Sequence, residues 1–287
     1  MSSQEIIVHS DLTRETGVIL DLPRERANWQ WMSFFVHRLA PGNSLRFHSS
    51  TEETALVLLG GKCVADWGDG ARDIGQRANV FGGLPYALYL PANHGATLRA
   101  QTACEIAECR VASAARLEPR FVTPADVTVS LRGGGNASRQ IVDVMPPSFP
   151  GDRIIAVEVY TPSGNWSSYP PHKHEVHNPP VEVDLDEIYY YRFQSPSGFA
   201  FQRLYASDGS RETVVTARDS DAVLIRDGYH PVVAGHGYNA YYLNFLAGSA
   251  RSLANTTDPA HGWVTSTWRG FSEGLPLVKP EQEHNVG

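Results

Sequence analysis

The sequence predicts an all-β protein built as a barrel or double-sheet jelly roll, on three observations. Short runs with period-two alternation dominate: SFFVHRL, ALVLLGG, ALYLP, IIAVEVY, EIYYYRF, FAFQRLY, AVLIR and AYYLNFL. β-Branched and aromatic residues fill them, as suits a pleated, half-buried surface. Turn punctuation separates them, as in APGNS, GDG, SPSG and SDGS. Helical periodicity over a useful length is almost absent, and residues 112–118 and 124–128 are expected to form only short turns.

The elements fall into two similar halves. In the first, the acids Glu52 and Glu53 precede TALVLLGGK, then DIGQRANVFGGLPYALYLPANHGATL. In the second, Asp186 and Glu187 precede IYYYRF, then DSDAVLIRDGYHPVVAGHGYNAYYL. Each half runs acid, strand, turn, strand, Pro/Gly turn, strand, which reads as an internal duplication. Between them lies a stretch with several prolines and the run Gly133–Gly135. The expected division is a first barrel over 1–118, a linker with inter-domain strands over 119–150, and a second barrel over 151–287. The glycine run lacks a Walker lysine and a following helix, so a phosphate loop is a poor reading.

Composition narrows the function. A chain of 287 residues exceeds the usual single-domain size, and 42% hydrophobic residues can fill two cores. The formal charge of −7 and scattered basic residues argue against a nucleic-acid partner. No apolar run is long enough for a membrane helix, so no membrane partner is expected. The N-terminal stretch carries early acids and no apolar core, so no signal peptide is expected. Cys63, Cys104 and Cys109 are odd in number and form no C-x-x-C pair. They read as buried thiols of a reducing cytoplasm.

Histidine placement carries the chemistry. Five of the eleven histidines lie between positions 172 and 236. His172 and His174 form H-x-H, and a two-residue step on an extended strand puts both side chains on one face. Glu187 opens the next strand, and His230 follows in RDGYHP, where Gly228 permits the turn that aims it inward. Three imidazoles and a carboxylate suit zinc, iron(II), manganese or nickel and leave positions for substrate oxygens. A bare H-x-H is more often a solvated loop pair, and a lone Glu187 more often a surface acid. Together with G-x-H inside a β-barrel, the set is expected to be a metal site. In the first half, His48 and His94 sit in the corresponding loops, but no H-x-H accompanies Glu52 and Glu53. That barrel is expected to have lost its metal.

The pattern H-x-H…E…G-x-H in a β-barrel resembles that of the cupins. More narrowly, RGGGNASRQI, TPSGNWSSYPPHKH, NPPVEVDLDEIYYYRF, GFAFQRLY and DGYHPVVAGHGYNAYYLNFLAG resemble the 5-deoxy-glucuronate isomerases of inositol catabolism. Those proteins are related to the 4-deoxy-threo-5-hexosulose-uronate ketol-isomerases. The resemblance covers nearly the whole chain and is densest from Arg132 to Arg251. It implies two tandem cupin barrels, a bicupin, and a cytoplasmic homo-oligomer acting on a small sugar acid. The implied reaction turns 5-deoxy-D-glucuronate, an aldose, into 2-deoxy-5-keto-D-gluconate, a ketose. The implied cofactor is a divalent transition metal, zinc first, held by His172, His174, Glu187 and His230. An isomerase of a related deoxy-uronate, or a dioxygenase using the same ligands, is the alternative. This chain departs from the family by adding His177 after HKH, and by the divergent segment SLANTTDPAHGW.

Such a reaction needs a proton shuttle and a cation for the carboxylate. Glu187, Tyr191 and His236 are the candidates for proton transfer. Arg192, Gln202, Arg203, Tyr205, Tyr229 and Tyr241 are the candidates for holding substrate, with Arg192 or Arg203 on the carboxylate. Alternation sends Tyr189 and Tyr191 to one face of their strand and Tyr190 to the other.

Overall fold

Of the five sheets among the described residues, four lie in layers, two small ones outside and two large ones back to back between them, and the fifth is the two-stranded pair His172–Lys173 with Thr256–Thr257. The structure is a computed structural model describing residues 5–279. Residues 1–4 and 280–287, the outer ends of the expected first and last units, lie outside the described residues.

The first large sheet orders its strands Arg120–Val122, Tyr86–Leu90, Glu52–Gly60, Cys104–Ala112, Met32–Leu39 and Gly17–Leu22. It faces a small sheet made by Ser44–Ser49, His94–Ala100, Cys63–Asp66 and Ala71–Ile74. The second large sheet runs Ile7–His9, Asp221–Ile225, Leu185–Phe193, Ala240–Gly248, Ile155–Thr161, Arg139–Met145 and Thr128–Arg132. Its small partner holds Trp166–Ser167, Val232–Ala234, Phe199–Tyr205 and Glu212–Arg218. Central pairs are antiparallel, so neighbouring strands can be joined by short turns.

Three apolar clusters follow from this stacking. One fills the first barrel around Leu56, Leu88 and Leu98, and one fills the second around Tyr189, Tyr191 and Val232. The largest lies between the two large sheets, around Phe34, Val57, Tyr190, Leu243 and Phe245. Tyr189 and Tyr191 therefore point into the second barrel while Tyr190 points across to the first half, as alternation requires. The central strands are buried on both faces, not on one: Ala240–Gly248 is buried at every position. That is why ALVLLGG and AYYLNFL read as continuous apolar runs as much as alternating ones.

Two details depart from the sequence reading. Residues 113–119 run as irregular chain without a helical turn, whereas 124–126 do turn. The helices among the described residues are the short Arg24–Ala27 and the 3-10 segment Gly262–Thr267. None is long and apolar enough to cross a membrane. Strand pairing also crosses the expected division. Ile7–His9, early in the chain, pairs with Asp221–Val223 of the second large sheet. Of the stretch 119–150, Arg120–Val122 joins the first large sheet, while Thr128–Arg132 and Arg139–Met145 edge the second. All three cysteines are buried and unpaired.

Candidate metal centre

The second barrel holds a cluster whose side chains come from three separate strand ends. His174, Glu187 and His230 bring one ligand atom each within 4.8 Å of one another. His172 adjoins them, its ring 4.9 Å from that of His230 and 6.3 Å from that of His174, centre to centre. Lys173, between the two histidines, turns away to pair with Glu175 and Glu182, so the H-x-H step does place both imidazoles on one side.

Each imidazole is oriented from behind by a backbone carbonyl. His174 Nδ1 meets Leu185 O at 3.2 Å, His230 Nδ1 meets Gly228 O at 3.0 Å, and His172 bonds the carbonyl of Pro170. A carbonyl only accepts, so the ring nitrogen facing it carries the hydrogen, and the other nitrogen of each ring presents a lone pair to the centre. Those lone pairs converge on Glu187: His174 Nε2 lies 2.9 Å and His230 Nε2 3.3 Å from the same carboxylate oxygen. His230 Nε2 is buried with no hydrogen-bond partner among the described residues. Facing acceptors in a buried pocket suit a cation, a proton or a metal ion, between them. The residues fit a first-row divalent metal, with one anion to offset its charge.

Electrostatics agree. Burial, reinforced by His230 and His174, pushes the His172 pKa down to about 3, so this imidazole is neutral near pH 7 and free to ligate. Burial alone would raise Glu187, but the His174 bond and the His230 imidazole close beside it outweigh burial and hold the carboxyl at about 2. Burial opposes a charge on His174, yet Glu187 raises its pKa, which is the behaviour of a site that holds a proton where a metal can sit.

A cavity of about 300 Å³ opens beside the cluster. Its floor is made by alternate residues of four adjacent strands, because every second side chain of a strand shares a face. Arg139, Ile141 and Asp143 come from the strand near the edge, and Val157 and Val159 from the next. Tyr242, Asn244 and Leu246 follow, then Leu185, Glu187 and Tyr189. Residues of the C-terminal strap, among them Asn255, Thr257 and Trp268, form the opposite wall, tied down where Thr256–Thr257 pairs with His172–Lys173.

The sequence as a whole matches the model of the KduI/IolB family over residues 6–264. The chain belongs to that family. It is 40% identical over 260 residues to a 5-deoxy-glucuronate isomerase of Geobacillus thermodenitrificans, covering 90% of this chain and 95% of the relative. It is 34% identical to the 5-deoxy-glucuronate isomerase of Bacillus subtilis over 257 residues, 88% of this chain and 95% of the relative. Among solved structures, an IolB-like protein from Salmonella typhimurium superposes with a TM-score of 0.87 at 35% identity, covering 90% of this chain and 98% of that one. A mutant of Bacillus subtilis oxalate decarboxylase gives a TM-score of 0.62 at 12% identity, over 90% of this chain and 80% of that one, a likeness of fold alone. The fold is a cupin, doubled, and the KduI/IolB chain is an enzyme, an isomerase.

Several residues expected at the site stand elsewhere. Arg192 is paired with Glu105 and Asp219 between the two halves. Arg203 lies over the Tyr205 ring and pairs with Glu212. Tyr205 donates to Asp258 and stacks near Tyr229, and neither lines the cavity. Tyr241 points into the layer between the large sheets and donates to Glu158, because it shares the outward face with Tyr190's layer. His236 is exposed, beside Gly164. His177 is bonded to Ser249 on an exposed loop. Tyr191 and Gln202 sit behind the cluster: Tyr191 donates to Gln202 Oε1, and Gln202 Nε2 donates to the carbonyl of His230. They brace the ligand rather than meet substrate.

Conversely, Arg132, Arg139, Asp143, Asn244 and Trp268 line the cavity without having been singled out. A signal existed for the first three. RGGGNASRQIVD spaces Arg139 and Asp143 by an even number on one strand, and Arg132 opposes Arg139 across the hairpin.

Proposed function

We propose that the chain is a metal-dependent aldose–ketose isomerase that converts 5-deoxy-D-glucuronate to 2-deoxy-5-keto-D-gluconate. The observation that carries this reading is the site itself: three imidazoles and a buried carboxylate with converging lone pairs, at the floor of a cavity, in a chain 40% identical to a 5-deoxy-glucuronate isomerase. His172, His174, Glu187 and His230 would hold the metal, zinc being the first choice for this donor set. Such an ion would supply Lewis-acid polarisation of substrate oxygens and stabilisation of developing negative charge.

The chain's own residues then supply binding and proton transfer. The base takes the proton from the hydroxyl-bearing carbon next to the aldehyde and returns it to the former aldehyde carbon. The hydroxyl proton passes to the aldehyde oxygen, so atoms balance without an external oxidant. Among carboxylates lining the cavity, Glu187 is committed to the ligand set and Asp143 is not. Burial raises the Asp143 pKa, opposed by Arg132, which brings this carboxylate closer to a useful proton acceptor. Asp143 therefore takes the shuttle role, replacing Tyr191 and His236. Tyr189 and Tyr242 keep their protons, since burial raises both. Cytoplasmic location, self-association and the division into units at 118 and 150 belong to the same proposal.

The test is an anaerobic incubation with 5-deoxy-D-glucuronate in deuterated water, followed by proton NMR. Ketose should form without oxygen or nicotinamide, stop on chelation, and resume on adding divalent metal. Asp143→Asn should slow it by about 10²–10⁴, the usual weight of a general base. An absolute need for oxygen, or full activity after exhaustive chelation, would sink the reading.

A further inference from the structure

The glycine run absorbed no part of the chemistry above, yet it seats two groups at the cavity wall. At Gly133, with φ of +86°, an added Cβ would lie 2.0 Å from the Ala137 carbonyl oxygen and 2.8 Å from Arg139 Nη1, which donates to that same carbonyl. At Gly134 it would lie 2.5 Å from Cβ and 2.9 Å from Cγ of Trp268. Consecutive glycines thus let a guanidinium and an indole close on the same turn.

Both groups have unused donors. Arg139 spends Nη1 on the carbonyls of Ala137 and Tyr169, and no carboxylate pairs with it among the described residues. Burial lowers its pKa, the mark of a cation held without a counter-charge. Trp268 Nε1 is buried with no hydrogen-bond partner among the described residues. An indole N–H can only donate, and a guanidinium can only donate. Two donor groups lining one cavity, the guanidinium from its floor and the indole from the strap above it, call for an anionic acceptor.

We propose that Arg139 and Trp268 form the subsite for the substrate's carboxylate, and that Gly134 is small so that the indole can reach it. This rests on the reading of the substrate as a sugar acid. It moves the carboxylate partner from Arg192 and Arg203, whose guanidinium groups are already paired, to a strand that faces the cavity. It also gives the C-terminal strap a role in selecting substrate, because Trp268 comes from that strap and lines the cavity with an unpartnered N–H among the described residues.

The test compares an acid with its neutral counterpart. D-Gluconate and D-glucitol are titrated into the metal-loaded full chain by calorimetry, and metal content is checked in each variant. Wild type should prefer the acid. Arg139→Gln should weaken gluconate binding by about 10- to 100-fold with little change for glucitol, the scale of a hydrogen-bonded charge. Arg139→Lys should restore part of the preference, since a lysine keeps the charge but not the planar fork. Trp268→Phe, which keeps the ring and removes the donor, and Gly134→Ala, which displaces the ring, should each cost the acid about 10-fold. A merely structural role would weaken both ligands together. An unchanged acid preference in Arg139→Gln and Trp268→Phe, or no preference in wild type, overturns the subsite. If the variants behave as expected but wild type fails to isomerise the uronate, the subsite stands and the proposed reaction falls.

Discussion

The two barrels offer the same backbone positions to very different chemistry. Glu187 lies opposite Ile225, five residues before His230, and Thr54 lies opposite Leu90, four residues before His94. In each barrel the histidine's Nδ1 turns back to the carbonyl two residues earlier, at 3.0 Å for His230 and 3.1 Å for His94. That shared crook is the clearest trace of duplication. The rest has diverged. Where the second barrel has a carboxylate, the first has Thr54, whose buried hydroxyl finds no partner among the described residues. Where the second has inward-facing His172 and His174, the first has a strand whose His48 is exposed while Phe47 packs on the core.

The first barrel does keep a buried carboxylate, on the strand equivalent to the one bearing Asn244. Glu108 is held by His37 at 2.6 Å and by Arg110. Burial would raise its pKa, but those two partners win and hold it below its ordinary value. The lesson is one of satisfaction. The first barrel neutralises its internal charge with its own side chains. The second brings ring nitrogens and a carboxylate face to face, a geometry suited to a cation.

The largest expected effect tests that contrast directly. Glu187→Gln removes the anionic ligand at nearly constant shape. Metal content should fall well below that of wild type. Turnover should drop by at least about 100-fold, since outer-shell partners alone are worth about 10–100-fold. Thr54→Ala, at the matching position, should leave both near wild type. Elemental analysis and NMR assay of the pair would break the comparison if the two substitutions behaved alike.

The halves are also clasped by a reciprocal device. Glu53 accepts backbone hydrogen bonds from Asp152 at 3.0 Å and from Arg153 and Ile154 at 2.7 Å, just ahead of strand Ile155–Thr161. Asp186 accepts from Trp31 at 2.7 Å and Met32 at 3.4 Å, at the start of strand Met32–Leu39. Each carboxylate reaches from its own half to the other. Glu53→Ala leaves several buried N–H groups unpaired and should cost about 2–4 kcal/mol of stability, measured by urea unfolding. A loss under about 0.5 kcal/mol, the size of an ordinary surface change, would show that the clasp is ornamental.

This clasp explains what the sequence made legible and what it hid. The repeated acid-then-strand motif was visible, and so were the four proposed ligands, because metal chemistry favours His and Glu at spacings a strand imposes. The register between halves was not. Pairing Glu52 and Glu53 with Asp186 and Glu187 aligns Glu53 with Glu187. The structure instead aligns Glu53 with Asp186 and Thr54 with Glu187. A one-residue slip exchanges the faces of a strand, so Glu53 belongs to the layer between the sheets and not to a lost metal site. Arg192 was misplaced for a related reason. Both faces of its strand are buried, so sequence could not tell the cavity side from the side facing the other half. Arg139 and Asp143 sit on a strand nearer the edge, where alternation was readable but no histidine or paired acid marked the face that meets the cavity.

The smallest effect should come from the histidines that remain in the first barrel. Among the described residues, exposed His48 makes no side-chain hydrogen bond to the core, and the His94 side chain bonds the nearby Ala92 carbonyl. With Thr54 in place of a carboxylate, a metal there would have at most one well-placed imidazole. Each missing ligand removes a coordinate bond, and a site built from so few binds first-row ions far more weakly. The second barrel should therefore load alone, at about one metal per chain for a single four-residue site. His48→Ala combined with His94→Ala should leave metal content and turnover near wild type, with stability changed by no more than about 0.5 kcal/mol at the exposed position. Elemental analysis beside the NMR assay reads both quantities. Two tightly held metals per chain, or lost turnover in the double variant at unchanged stability, would mean that the first barrel still takes part in the chemistry and that the two halves have not diverged in the way their side chains indicate.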